Sequence, residues 1–173
     1  MAFFYPHRFV QNFNEEAGHL KSKELYTFKS TKSNQWYWVW VECYDHHVYA
    51  LKFHLKSMRN CENKYSVLTN TYEPRRIVMT CINVMLEIYR KDDHASFGFI
   101  GSNLVEEKGT DNTKRFRFYK RIIATYFSEK YFIHQENSPK SAYLMLNKAE
   151  LANNPRLKED IEDAFGEQYE YFD

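Results

Sequence analysis

Glycine and proline are scarce, at five and four of 173 residues. No internal repeat, low-complexity tract or linker interrupts the chain, so one domain over residues 1–173 is expected. Cysteine is scarcer. Cys43, Cys61 and Cys81 are odd in number, and none belongs to a C-x-x-C pair. That excludes a disulfide framework and fits reduced thiols. No run approaches the roughly 18–20 apolar residues a membrane span needs. The opening residues are broken by Pro6, His7 and Arg8 and lack a cleavage-site pattern. A soluble, cytoplasmic protein with no membrane partner is the expectation. Catalytic signatures are missing too: no G-x-S-x-G elbow, no phosphate loop ending in Gly-Lys-Ser/Thr and no H-E-x-x-H. The carboxylate-x-lysine matches Glu62-Asn63-Lys64 and Glu106-Glu107-Lys108 are as many as composition produces by chance.

Aromatic residues are abundant: 14 Tyr, 14 Phe and 3 Trp. Large rings must build the core, and many tyrosine hydroxyls must reach water or a partner. Tyr- and Trp-rich surfaces also suit interfaces. The net charge of +1 is uneven. Residues 148–173 hold three basic residues (Lys148, Arg156, Lys158) against eight acidic ones, and the rest of the chain holds 21 basic against 15 acidic.

Alternation predicts strands at Glu24–Ser30, Gln35–Tyr44 and Val48–Leu55, with Asp45-His46 turning between the last two. In the second of these, Trp36, Trp38 and Trp40 share one face and Tyr37, Val39, Val41 and Cys43 the other. Both faces are apolar, which predicts a central strand covered on both sides. The tryptophan ladder has a second reading, as a stacking platform for bases or sugars. Residues 65–69 suggest a fourth strand. A helix follows, capped by Asn70 or Thr71 and running to Arg90, with a polar strip of Arg76, Thr80, Asn83, Glu87 and Arg90.

Ser96–Ile100 reads as a strand, Gly101 to Asn112 as a polar loop, and Thr113–Phe127 as a helix. Phe116, Tyr119, Ile123, Tyr126 and Phe127 fall on one helical face, and Lys114, Arg117 and Arg121 line the opposite one, flanked by Arg115 and Lys120. Free N–H groups and the positive dipole end at the helix start favour an anion there. A run of Lys and Arg also reads as a solvated face. Lys130–Gln135 and Ala142–Asn147 complete the strands, and Leu157–Phe172 forms an acidic amphipathic helix. The order β-β-β-β-α-β-α-β-β-α predicts an α+β domain, its mainly antiparallel sheet carrying helices mostly on one face.

Metal-ligand candidates are Cys43, Asp45, His46 and His47, and separately Asp92, Asp93 and His94. Solvated turns explain both groups, so no metal and no cofactor is expected. His134 and Glu136 suggest an acid–base pair without a nucleophile. The segments Ile100-Gly101 and Asn112-Thr113-Lys114-Arg115-Phe116-Arg117-Phe118-Tyr119-Lys120-Arg121 resemble small uncharacterised α+β proteins of bacteria and mobile elements. The resemblance implies no activity, and its context would allow a role in phage–host conflict. The leading expectation is a non-enzymatic interaction protein that meets a protein partner through the basic helix or the acidic C-terminal helix. Its contact residues would be Lys114, Arg115, Arg117, Lys120 and Arg121. A nucleic-acid-binding protein using the same basic face is the alternative, and a small enzyme around residues 101–115 and His134 a further one.

Overall fold

Seven strands join in one mixed sheet of order β1-β2-β3-β4-β5-β7-β6. The computed structural model describes residues 4–62, 64, 74–100, 114–137 and 142–168, and not the side chains of 74, 100, 114–119, 137 and 142. The strands are β1 (His7–Phe13), β2 (Leu20–Lys29), β3 (Trp36–Tyr44), β4 (Val48–Leu55), β5 (Ser96–Ile100), β6 (Phe132–Asn137) and β7 (Ala142–Asn147). Helices α1 (Pro74–Lys91), α2 (Lys114–Tyr126), α3 (Lys148–Asn153) and α4 (Leu157–Gln168) complete the described elements. β4 and β5 run parallel, and every other described pairing is antiparallel. A parallel pair needs a crossover connection, and α1 supplies it.

This is the expected α+β class, and β1 is a strand that alternation did not reveal. The strand suggested at residues 65–69 lies outside the described residues, as do the proposed Asn70 or Thr71 cap and the loop 101–113. The C-terminal helix is described to Gln168, and a short α3 precedes it. Asn147 explains α3. Its side chain accepts hydrogen bonds from the Ala149 and Glu150 N–H groups at 2.9 and 3.3 Å and donates to the Asp93 and Ala95 carbonyls.

On the front of the sheet, Phe28, Tyr37, Val39, Val41, Leu51, Phe97 and Met145 meet α1 and the Ile122–Ile123 and Phe127 stretch that ends α2. Rings dominate this core, with Phe28 stacked on Tyr37 at 5.1 Å and Phe127 edge-on to Phe132 at 5.3 Å. The polar strip of α1 is not a solvated ridge. The chain entering β1 lies along it: the Tyr5 N–H donates to Thr80 Oγ1 at 2.9 Å, Arg76 stacks over the Tyr5 ring at 4.1 Å, and His7 pairs with Glu87 at 2.5 Å. Arg90 alone of that strip is exposed.

On the back, α4 seats Leu157, Ile161, Ala164 and Phe165 against Leu20, Tyr44, Val48, Ala50, Leu144 and Leu146. Gly98 makes this seat: a Cβ there would stand 2.5 Å from the Phe165 ring. The two longer helices therefore cover the front, while α4 covers the back at β5, β7 and the Leu20, Tyr44 and Val48–Ala50 ends of β2, β3 and β4. No described helix lies over the back of β1 or over the remainder of β2–β4.

Candidate functional site

The predicted basic ridge is only partly described. Lys114, Arg115 and Arg117 lie in α2 as expected, but their side chains are outside the described residues. Lys120 Nζ is held by Glu136 on β6 at 2.8 Å, and Arg121 is exposed. Of the expected acid–base pair, Glu136 holds Lys120 and His134 is hydrogen-bonded at both ring nitrogens. His134 Nε2 lies 2.6 Å from the Phe127 carbonyl, so it must donate, which leaves Nδ1 to accept from the Tyr143 hydroxyl at 2.8 Å. Nε2 thus ties β6 to the residue that follows α2, and Nδ1 ties it to β7.

The part of the back face that no described helix covers is built by register. Direct partners across an antiparallel pair point the same way. Trp38 faces Thr27 and His54, Trp40 faces Leu25 and Lys52, and Trp36 faces Lys29. Arg8 and Phe13 extend the row onto β1, opposite Thr27 and Lys23. The rings interlock: Phe13–Trp40 centroids are 5.6 Å apart, Trp38 and Trp40 meet edge-on at 6.1 Å, and Trp38 lies 5.9 Å from His54. Beneath this layer Leu25, Thr27 and His54 are buried, whereas Trp38 and Trp40 are half-buried and Trp36 is 43% exposed.

His54 fixes one indole. Its Nδ1–H donates to the Leu55 carbonyl at 2.7 Å, so its Nε2 accepts the Trp40 Nε1–H at 3.1 Å. Burial lowers the His54 pKa and keeps the ring neutral, which this arrangement requires; the Leu55 bond opposes the shift. Around Trp40 cations and carboxylates mix, with Lys23, Lys52 and Lys64 beside Glu15 and Glu42. Lys23 pairs with Glu15 at 3.4 Å and Lys52 with buried Glu42 at 3.6 Å. Burial lowers the Lys52 pKa, and Glu42 works against it.

Around Trp36 the balance differs. Lys29 Nζ stands 5.9 Å from the Trp36 ring centroid. An open cleft of about 510 Å³ is lined by Asn34, Gln35, Trp36, Lys56, Ser57 and Arg59. No described carboxylate pairs with Lys29, Lys56 or Arg59. The face thus mixes both signs of charge at Trp40 and shows cations at Trp36. The sequence carried a signal for this. Lys52 and His54 alternate onto the tryptophan side of β4, where the rest of that side, Val48 and Ala50, is apolar and meets α4.

At the other end of β3 and β4, two sequence clusters that seemed separate converge. His47 Nδ1 donates to Asp92 at 2.9 Å, the Tyr49 hydroxyl and the His94 N–H add two more bonds to that carboxylate, and His94 Nδ1 pairs with Glu150 at 3.0 Å. Burial raises the Asp92 pKa, but those hydrogen bonds outweigh it and bring the group below its ordinary value. The network ties the β3–β4 turn to the end of α1 and to α3. Among the described residues, no group of three or more His, Cys, Asp or Glu side chains could hold a metal ion. No nucleophile is activated nearby: burial raises Cys43 to about 11 and Cys81 to about 12. No described helix is long and apolar enough to cross a membrane.

Fold and face together define a mixed α+β protein whose sheet carries an aromatic surface that no described helix covers. No family model, curated protein or solved structure matches the chain.

Proposed function

We propose that this chain is a non-enzymatic nucleic-acid-binding protein, and that the uncovered back face of β1–β4 is its principal contact. The observation that carries this reading is the Trp36 end of the face. An exposed indole stands there among Lys29, Lys56 and Arg59, cations that no described carboxylate neutralises. Cations that track phosphates supply affinity, and exposed rings supply base contacts. The carboxylates of α4 lie at the other end of the sheet, and those of this face, Glu15 and Glu42, sit at the Trp40 end. Helix α2 remains a second cationic surface through Arg121.

Reversing charge at two places separates the surfaces. Lys29→Glu with Arg59→Glu should abolish a mobility shift on nucleic acid at low salt, while Arg121→Glu should retain it. The opposite pattern assigns binding to the basic helix, and no shift by the unaltered protein removes the reading. A protein partner is the second reading, favoured by the outer face of α4. Lys158 is there the sole cation beside exposed Glu159, Glu162, Asp163 and Glu167. A stoichiometric protein co-purifying with the full chain, and lost when Glu159 and Asp163 are changed to Lys, would support it.

A further inference from the structure

We infer that the nucleic acid is single-stranded, and that one of its bases stacks on Trp36 inside the cleft while the adjoining phosphates lie on Lys29, Lys56 and Arg59. This rests on the nucleic-acid reading above and adds the strand state and the contact.

In a duplex the base faces are hidden in the stack, so an exposed indole has nothing planar to meet. A single strand offers one face per base, and stacking tolerates every base because each has a π surface. Trp36 is the most exposed of the three indoles and opens the strand. Trp38 and Trp40 are turned edge-on to each other, at 85°, and spend their faces on the sheet. The stacking position is therefore Trp36, and the inner pair builds the wall beside it.

The rest of the cleft supplies the other parts of a nucleotide site. Lys56 and Arg59 sit on the segment that leaves β4, and Lys29 sits on β2 opposite Trp36, so cations flank the indole. Arg59 Nη1 also donates to the Lys56 carbonyl at 3.0 Å, which holds the guanidinium beside the lysine. Asn34 and Gln35 bring amides that can both donate and accept towards a base edge. Asn34 keeps a left-handed backbone with φ of 60°. The neighbouring cleft at Phe13 and Trp40 is only about 160 Å³, and Glu15 and Glu42 line it together with Lys23, Lys52 and Lys64, so it offers less room and a mixed charge.

The test uses the full chain and two probes, a fluorescently labelled oligoadenylate and a blunt DNA duplex of matched length. Their anisotropy is followed at low salt. The inference expects tighter binding of the single strand and quenching of the tryptophan fluorescence. Log affinity should fall against log salt with a slope of about −2, as three phosphate contacts give. Trp36→Ala should weaken the single strand by about tenfold or more, and Trp36→Phe should restore part of that loss. Trp36 opens the strand and is well exposed, so its removal leaves the core intact. Equal binding of duplex and single strand, or an unchanged affinity in Trp36→Ala, overturns the inference and leaves nucleic-acid binding standing. Failure of both probes to bind overturns both.

Discussion

Gly98→Ala is the sharpest test of how α4 is seated. An ideal Cβ at this position would lie 2.5 Å from Phe165 Cε2, 2.6 Å from Cζ and 3.4 Å from Leu144 Cδ2. Carbon atoms prefer about 3.5–4.0 Å, so the ring must retreat by roughly 1 Å. It has little room. Phe165 is fully buried, and the Tyr44 ring meets it at 5.4 Å. Overpacking of this kind costs about 1–3 kcal/mol. For a chain of this length each kcal/mol lowers Tm by about 2–4 °C, so a drop of roughly 2–12 °C is expected. Thermal melts followed by circular dichroism would measure it. A double variant sharpens the result. Phe165→Leu alone opens a cavity, but in the Gly98→Ala background it relieves the clash and should cost less than in the unaltered protein. An unchanged Tm for Gly98→Ala, with additive effects in the double variant, would mean that Phe165 does not sit over β5. The account of an uncovered back face would then lose its frame.

Two further outcomes follow from the same geometry. His46 has φ of 65°, a left-handed backbone that glycine adopts without a Cβ penalty, and its pair with Asp160 spans a weak 3.8 Å, so His46→Gly should raise stability by about 1 kcal/mol in urea unfolding; a loss would show that the turn is not left-handed. His54 has a folded pKa below its ordinary 6.5, so its contribution is intact above pH 6.5 and is lost as pH falls through the folded value; the stability advantage over His54→Gln should narrow between pH 7.5 and pH 5, and a constant or widening gap would contradict a neutral, buried ring.

Much of the fold was legible because periodicity reports burial. The alternation in β3 and β4 and the helical stripe of α1 follow from faces that meet water or core. β1 was not legible. Its residues are almost all exposed, since it is an edge strand with a bulge between Phe9 and Gln11, and an exposed edge leaves no alternating pattern. The polar strip of α1 also misled, because polar residues satisfied by the incoming chain at Tyr5 and His7 look the same in sequence as solvated ones. The tryptophans gave the deepest ambiguity. Apolar residues on both faces of β3 suggested cover on both sides, yet α4 reaches only the Tyr44 end. Where a helix stops along a strand is decided by its own packing, here Phe165 on Gly98, and one strand's composition does not encode that. The convergence of His47 with Asp92 and His94 was hidden for a related reason: it depends on strand order, which joins residues 45 positions apart.

The most direct measurement is the indole N–H spectrum of the full chain during addition of an unlabelled single-stranded oligonucleotide. All three tryptophans of the chain lie on this one face, so their three signals report on it alone. The Trp36 signal should shift most, and that of Trp40, held by His54, least. Binding that leaves all three signals unmoved would contradict the account.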